Sequence, residues 1–303
     1  MKHSREKGYF MDIQNFSVND GDGIHTNIFL AGCPLKCAWC ANPESHNGTE
    51  RVSYNSKLCI GCGKCKTVCP FEIGTELNTE EGRKKCVECG KCVEICPNKA
   101  RYKLINEEKV DKIIEEASKH EIFFRFSGGG ITFSGGEPFY QMEVLDSLSE
   151  NLYDEGFDLA VETSGFWDFE KAEKILKRMN LIFVDIKHMD SEIHKKFTGV
   201  PNELILKNIE RISKLKIDTV VRVPVIKGVN ADDENIRKTA EFVKEHFECP
   251  KIELLPYHRY GEAKYEALYI EKPSLTFGTP SKEEMKHFMK IIEEAGVENI
   301  SYR

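Results

Sequence analysis

The sequence predicts an α/β fold in which helices cover a parallel sheet that forms an incomplete barrel. Two observations support this prediction. Short apolar runs recur in the later part of the chain, at residues 131–134, 157–162, 181–187, 217–226 and 251–255. Apolar residues with helical spacing fill the gaps between these runs. Strands that alternate with helices indicate βα units, and about six units are too few to close an eight-stranded barrel.

Local patterns predict the individual elements in chain order. Two strands are expected at residues 9–18 and 24–31, with the turn sequence NDGDG between them. Asn106 can cap a helix that runs through His120. Ser281 and Glu284 form a capping-box pattern for a last helix, which Gly296 ends. Further helices are predicted from apolar stripes, which comprise Phe139, Met142, Leu145, Leu148 and Leu152; Phe169, Ala172, Ile175, Leu176 and Met179; and Ile236, Ala240, Val243 and Phe247.

A cysteine-rich internal repeat precedes the βα units. CIGCGKCKTVCP begins at Cys59 and CVECGKCVEICP at Cys86. Each run has the bacterial ferredoxin pattern C-x2-C-x2-C-x3-C-P, in which the fourth cysteine ligates the partner cluster. The pattern assigns one [4Fe-4S] cluster to Cys59, Cys62, Cys65 and Cys96, and another to Cys86, Cys89, Cys92 and Cys69. A pair of structural zinc sites is the alternative, although zinc pairs usually come as separated C-x2-C couples.

Three more cysteines follow the second predicted strand, within the stretch GCPLKCAWCANPES. Cys33, Cys37 and Cys40 have the spacing C-x3-C-x2-C, which brings three thiolates onto one loop. A cubane [4Fe-4S] cluster normally takes four cysteines, so one iron is left without a protein ligand. An open metal position allows a substrate or cofactor to bind there.

Composition limits the classes of partner and compartment. The chain has 303 residues, of which 40% are hydrophobic and 31% charged, and a net charge of -7. This acidic balance argues against nucleic acid and anionic membranes as partners. No apolar run is long enough to span a bilayer, and clustered thiols suit a reducing compartment, so a cytoplasmic protein is expected. Cys249 stands outside the three clustered runs and is expected to be a small buried residue.

Polar residues and glycines follow the predicted strands, at the ends where parallel βα folds bind ligands. Gly135 and Gly136 let backbone carbonyls approach a ligand, and Glu137 adds an acceptor, which suits an ammonium group. Asp185 and Lys187 share a strand face, so they either face the barrel interior or form a buried ion pair. The other strand-end candidates are Glu162, Ser164, Arg222 and His258, the last of which has a satisfied core position as its alternative.

These motifs resemble those of the radical S-adenosylmethionine (radical SAM) enzymes and, among them, the glycyl radical enzyme activating enzymes. The resemblance rests on GCPLKCAWCANPES, SGGGITFSGGEP, VETSG, DIK and LLPYH, which follow the family's order over nearly the whole chain. It implies a partial (β/α)6 barrel of the radical SAM type over residues 1–48 and 104–303. It also implies that residues 49–103 form an inserted ferredoxin-like domain with two clusters, as in the larger family members.

The resemblance implies cofactors and a reaction. The cofactors are three [4Fe-4S] clusters and S-adenosylmethionine, which binds the open iron. An electron from that cluster cleaves the S–C5′ bond, and the 5′-deoxyadenosyl radical takes a hydrogen from a glycine of a partner glycyl radical enzyme. Partners in the family include glycerol dehydratase, choline lyase and arylacetate decarboxylase. A reduced flavodoxin or ferredoxin is the implied electron donor.

The resemblance also assigns roles to single residues. Cys33, Cys37 and Cys40 hold the catalytic cluster, and Lys187 completes the catalytic set. Trp39 is placed against the adenine. The methionine end and the rest of the cofactor pocket are assigned to Gly135, Gly136, Glu137, Glu162, Ser164, Asp185, Lys187, Arg222 and His258. Glu162 replaces an Asp that is tied to a bound cation in pyruvate formate-lyase's activase, so a monovalent cation is a further candidate cofactor.

One segment departs from the family pattern Asp-Gly-Pro-Gly-Ile-Arg. Asp22 stands at the proline position and His25 at the arginine position. The first change removes a restraint on φ, and the second exchanges a permanent charge for a titratable group. In the family this segment lies near the partner's glycine loop, so the changes bear on the choice of partner.

Two other functions are compatible with parts of the sequence. A polyferredoxin-like electron carrier needs the clusters but has no use for SGGEP or the three-cysteine loop. A radical enzyme with auxiliary clusters that acts on a small molecule or peptide uses the same cofactor pocket but has no partner enzyme.

Overall fold

Ten strands form one sheet in this computed structural model, which describes residues 6–270 and 277–302. The strands are β1 (Lys7–Ser17), β2 (His25–Leu30), β3 (Arg51–Tyr54), β4 (Arg101–Lys109), β5 (Ile131–Gly135), β6 (Leu159–Thr163), β7 (Leu181–Asp185), β8 (Asp218–Val225), β9 (Lys251–Pro256) and β10 (Asn299–Tyr302). Their spatial order is β10-β9-β8-β7-β6-β5-β2-β1-β4-β3. From β10 to β2 all neighbours are parallel, whereas β1, β4 and β3 add an antiparallel edge.

Twelve α-helices accompany the sheet in the described residues. They are α1 (Lys64–Thr67), α2 (Glu80–Lys85), α3 (Lys91–Glu94), α4 (Val110–Ser118), α5 (Glu121–Ser127), α6 (Met142–Asp154), α7 (Phe169–Leu176), α8 (Ser191–Thr198), α9 (Glu203–Ser213), α10 (Asp233–His246), α11 (Glu262–Leu268) and α12 (Lys282–Glu294). The predicted apolar stripes of α6, α7 and α10 lie largely in the core. The capping box of Ser281 and Glu284 is present, and Gly296, with φ of 90°, follows the end of α12. No described helix has the length and apolarity needed to cross a membrane.

Most strands of the parallel sheet were predicted from the sequence. The five apolar runs correspond to β5–β9, and the two early runs correspond to β1 and β2. Side chains of β5 and β7 are buried on both faces, among them Phe133 and Val184. This double burial is typical of a parallel sheet with helices on its faces. β10, which pairs with β9, was not predicted.

Two expectations were wrong. Asn106 does not cap a helix, because it lies inside β4 opposite Phe10 of β1, and α4 begins only at Val110. Residues 107–109, which a cap at Asn106 would have served, instead continue the strand in register with β1. Cys249 is exposed rather than buried, because it lies in the loop between α10 and β9.

The cysteine repeat occupies the chain between β3 and β4. Its helices α1 and α3 each begin after a glycine with left-handed φ, Gly63 at 73° and Gly90 at 75°. A small separate core holds the segment together, formed by Val52, Tyr54, Ile73, Leu77 and Ala100 with five of the cysteines packed against it. β4 itself continues across the boundary predicted between residues 103 and 104.

Candidate active site

The loop after β2 carries the first three cysteines and is held from two sides. The backbone N–H groups of Lys36 and Ala38 donate to the carbonyls of Thr198 and Phe197 at 2.7 and 2.9 Å. On the other side, the hydroxyl of Tyr265 in α11 donates to the Cys40 carbonyl at 3.2 Å. These contacts hold the loop between α8 and α11.

A cavity opens where the cysteine loop meets those strand ends. Its empty volume is about 860 Å³, part of which is open to solvent. Most of the predicted site residues line it, namely Cys33, Cys37, Trp39, Cys40, Gly135, Gly136, Glu162, Ser164, Asp185, Lys187 and Arg222. Further lining residues, to which the sequence assigned no role in the site, are Leu35, Ala41, Asn42, Ser45, Ser134, Thr163 and Leu255.

Burial raises the pKa of all three loop thiols, that of Cys40 to about 12. Thiolates at this depth therefore need a positive group beside them, and a metal cluster core provides one. Three soft sulfur donors on one cavity wall fit an iron–sulfur cluster. In the described residues, no three His, Cys, Asp or Glu side chains converge on a point that would hold one metal ion. A cubane does not need such a group, because each cysteine binds its own iron.

Asp185 and Lys187 form an ion pair that lines the cavity. Lys187 Nζ donates to Asp185 Oδ2 at 2.6 Å. Burial lowers the pKa of Lys187, but the nearby Asp185 carboxylate and the Cys37 sulfur more than offset this effect and raise it. The sequence left open whether Asp185 and Lys187 face the interior or form a buried ion pair. Both hold, since the pair is mostly buried and also lines the cavity.

Arg222 lies at the centre of a buried charge network. Its Nε donates to Glu253 Oε2 at 2.6 Å, and its Nη1 donates to Glu162 Oε1. The guanidinium also stacks 3.6 Å from the ring centre of Phe183. Burial lowers the pKa of Arg222, but the two glutamates outweigh burial and raise it. Burial raises the pKa of Glu162 to about 6, although Arg222 acts in the opposite direction.

Glu253 is a site residue that sequence reasoning missed. It is buried in β9, where it stands beside Arg222 in the parallel register of β8 and β9. The available signal was the charged residue inside the apolar run KIELL. A buried glutamate in a central strand requires a cationic partner.

Glu137 does not line the cavity, although it follows the two glycines that do. Its buried carboxylate accepts hydrogen bonds from Thr163 Oγ1 at 2.8 Å, from Ser164 N at 2.7 Å and from Ser164 Oγ at 2.5 Å. It therefore ties the end of β5 to the end of β6. The glycines pack closely against β2, since a Cβ on Gly135 would lie 2.2 Å from the Leu30 carbonyl oxygen.

Trp39 and His258 lie in different surroundings. Trp39 lines the cavity and packs against Phe197 and Phe277, with ring centres 6.3 and 6.1 Å away. His258 is exposed, stacks on Tyr260 and is not among the residues that line the cavity.

The turn between β1 and β2 reaches toward the Arg222 network. Arg222 Nη2 donates to the Asn19 carbonyl at 3.1 Å and lies 3.9 Å from Asp20 Oδ1. His25 is buried, with its Nδ1 2.8 Å from Thr132 Oγ1. Burial lowers the pKa of His25, so this side chain favours the neutral form more than an exposed histidine does.

Two further cavities lie in the cysteine repeat. One is lined by Cys69, Cys86, Cys89 and Cys92 together with Cys65, and its empty volume is about 420 Å³. The other is lined by Cys59, Cys62, Cys65 and Cys96, and its empty volume is about 740 Å³. The structure thus brings the cysteines together in the crossed sets that the ferredoxin pattern predicts, with Cys65 at both.

Comparison with known proteins matches residues 27–243 to the model of the radical SAM superfamily. The trans-4-hydroxy-L-proline dehydratase activating enzyme of Clostridioides difficile is 37% identical over 93% of this chain and 95% of its own length. The (2S)-3-sulfopropanediol dehydratase activating enzyme of Klebsiella oxytoca is 36% identical over 94% of this chain and 93% of its own.

Among solved structures, a radical SAM methyltransferase from Sphaerobacter thermophilus has a similar fold. The TM-score is 0.54 at 14% identity, and the match covers 97% of this chain and 76% of that one. At this identity the likeness concerns the fold alone.

Proposed function

Because the chain belongs to the radical SAM superfamily and to its glycyl radical enzyme activating enzymes, we propose that its strand-end cavity binds S-adenosylmethionine. The cofactor site lies beside a [4Fe-4S] cluster held by Cys33, Cys37 and Cys40. The supporting observation is that one cavity brings together these three thiols, the Gly135–Gly136 strand end and the Asp185–Lys187 pair. An electron carrier has no need for such a cavity.

The protein is an oxidoreductase that activates a glycyl radical enzyme. When bound, the cluster and S-adenosylmethionine supply an electron and an S–C5′ bond, whose reductive cleavage produces the radical that takes a hydrogen from the partner's glycine. The residues of the chain position this chemistry and keep water out. Asp185 keeps Lys187 protonated, so Lys187 offers a cation to the carboxylate of S-adenosylmethionine. The strand end at Gly135 offers backbone acceptors to the amino group of the same cofactor.

The other residues proposed for the pocket line the same cavity, namely Trp39, Glu162, Ser164 and Arg222. Glu137 does not line the pocket but positions Ser164, whose N–H and hydroxyl donate to the Glu137 carboxylate. His258 is retained from the family motif alone. A monovalent cation is proposed beside Glu162, whose carboxylate lies at the cavity wall with Ser134 and Arg222 as neighbours.

We also propose that the cysteine repeat holds two further [4Fe-4S] clusters, in a ferredoxin-like insert over residues 49–103 on a partial (β/α)6 barrel. The crossed cysteine sets of the two cavities support this assignment over zinc, because each set takes three cysteines from one run and the fourth from the other. A reduced flavodoxin or ferredoxin is the proposed donor, and the reducing cytoplasm the proposed compartment.

The proposed partner is a glycyl radical enzyme of the dehydratase, choline lyase or arylacetate decarboxylase type. Asp22 and His25 distinguish the chain from the family pattern near the expected glycine loop. The hydrogen bond between His25 and Thr132 attaches this turn to β5, and we propose that the partner binds next to it.

The test is anaerobic reconstitution, reduction with dithionite and addition of S-adenosylmethionine. We expect 5′-deoxyadenosine from the wild type and from Cys249→Ala, which changes an exposed cysteine outside all three cavities. Addition of the correct partner should give a glycine-centred doublet in the EPR spectrum. Absence of 5′-deoxyadenosine from fully loaded protein contradicts the proposal, and 5′-deoxyadenosine without a doublet across the partner classes favours small-molecule or peptide chemistry.

A further inference from the structure

Arg101, the first residue of β4, lies between the two cavities of the cysteine repeat. It lines both cavities, together with Cys65 and Gly74. The residue is 3% exposed, so its guanidinium is removed from solvent.

The contacts of Arg101 leave its charge without a carboxylate partner among the described residues. Its Nη2 donates to the Gly74 carbonyl and lies 4.0 Å from Cys65 Sγ. Its guanidinium carbon lies 4.1 Å from the centre of the Tyr54 ring. Its Nε is buried and has no hydrogen-bond partner within residues 6–270 and 277–302.

A buried cation of this kind requires a nearby anion. Arginine cannot shed its proton in a protein, so it cannot relieve the cost of burial by becoming neutral. An unpaired buried charge is strongly unfavourable. Two cubanes with four thiolates each are net anions, because the thiolates outweigh the charge of the iron–sulfur core. The position of Arg101 fits that pair of anions.

The internal repeat explains why one arginine serves two sites. Arg101 follows Pro97 by the same number of residues as Gly74 follows Pro70, so the two positions are equivalent in the repeat. The first repeat has a glycine there and the second an arginine, whose side chain donates to that glycine's carbonyl. The equivalent positions therefore meet between the clusters, and only one of them supplies a charge.

We propose that Arg101 is a positioning residue whose charge raises the reduction potentials of both clusters in the insert. Reduction adds an electron to an already anionic cluster, so a nearby fixed cation stabilises the reduced state more than the oxidised state. The low polarity of the buried site strengthens the effect. This inference rests on the proposed function, because it requires the two clusters to be present.

The experiment is an EPR-monitored redox titration of the full chain that carries Cys33→Ala, Cys37→Ala and Cys40→Ala, so that only the insert clusters contribute. We expect Arg101→Gln to shift both midpoint potentials to lower values. Arg101→Lys keeps the positive charge and should give potentials close to those of the parent protein. Lys84→Gln is the matched control, because it removes a cation from the exposed surface of the same segment. It should leave both potentials unchanged.

Unchanged potentials in a fully iron-loaded Arg101→Gln protein overturn the proposal. If Arg101→Gln does not retain iron, Arg101→Lys and Arg101→Met decide the matter. Retention by lysine but not by methionine supports the role of the charge, whereas equal loss from both shows a purely structural role and overturns it. Failure of the proposed cluster assignment is distinguishable, since the parent protein would then bind no iron in the insert. Failure of the activase function is separate, because it appears as absence of 5′-deoxyadenosine from the wild type and leaves this titration unaffected.

Discussion

Glu137 and Glu162 are both acidic side chains at neighbouring strand ends, but their surroundings give them different tasks. Glu137 is surrounded by hydrogen-bond donors and does not reach the cavity. Glu162 reaches the cavity and pairs with Arg222. Sequence motifs named both residues as pocket residues. They could not separate the two roles, because the donors to Glu137 come from β6 and depend on how the strand ends meet.

Glu137→Gln is expected to destabilise the protein and weaken binding of S-adenosylmethionine. The amide replaces an acceptor with a donor opposite Ser164, which should lower the free energy of unfolding by about 1–3 kcal/mol. Ser164→Ala removes one donor only and should cost less. Anaerobic thermal unfolding and equilibrium dialysis measure the two effects. Full stability with lost affinity would show instead that Glu137 contacts the cofactor directly, as the family motif implies.

Glu162→Gln is expected to change how stability depends on pH. The pKa of Glu162 is raised to about 6 in the fold, so its contribution is fully present below the unfolded pKa and is lost as pH rises through about 6. The stability of the wild type relative to the variant should therefore increase by about 1 kcal/mol between pH 7 and pH 5. Anaerobic urea unfolding at both pH values provides the measurement. A constant difference between the two proteins argues against the raised pKa.

At the scale of elements, α11 links the cysteine loop to the cysteine repeat. Lys264 Nζ donates to Asn42 Oδ1 at 2.8 Å and to Glu44 Oε1 at 2.6 Å, just beyond Cys40. From the repeat, Arg83 Nη2 donates to the carbonyl of Ala267 at 2.8 Å. Sequence patterns did not predict this short helix, because seven residues present too little periodicity to stand out.

Gly261→Ala is expected to disturb the catalytic cluster. A Cβ at this position would lie 2.7 Å from the Cys40 carbonyl oxygen and 2.8 Å from Ala41 Cα, and backbone atoms cannot yield as a flexible side chain can. The variant should lose iron from the three-cysteine site and lose cleavage of S-adenosylmethionine. Gly278→Ala is the control, since the three atoms nearest to its Cβ belong to the Lys227 side chain rather than to the backbone. Equal iron content and activity in both variants would show that the loop accommodates the methyl group.

At the scale of the whole molecule, the clustered cysteines line three cavities, two of which share Cys65. The sequence repeat predicted this division, because cluster ligands are set by short local spacings. The charge network around Arg222 could not be predicted in the same way. It depends on contacts between Glu162, Arg222 and Glu253, which belong to three strands that are distant in sequence.

Cys37→Ala is expected to abolish cleavage of S-adenosylmethionine while the insert keeps its iron. Roughly two-thirds of the iron should remain if each site holds a cubane. Iron and sulfide analysis after anaerobic reconstitution measures the fraction, and Cys249→Ala should retain all of it. A proportional loss of iron from all sites would contradict independent loading of the three sites.

The pairing of β3 with β4 has a consequence for the history of such chains. The Asn55 N–H donates to the Ala100 carbonyl at 2.9 Å, so the cysteine repeat leaves and re-enters the sheet at nearly the same point. A tight hairpin turn could join the same two strands without moving any parallel strand. The repeat is thus inserted at the end of a hairpin, and its gain or loss requires no change in the order of the parallel strands.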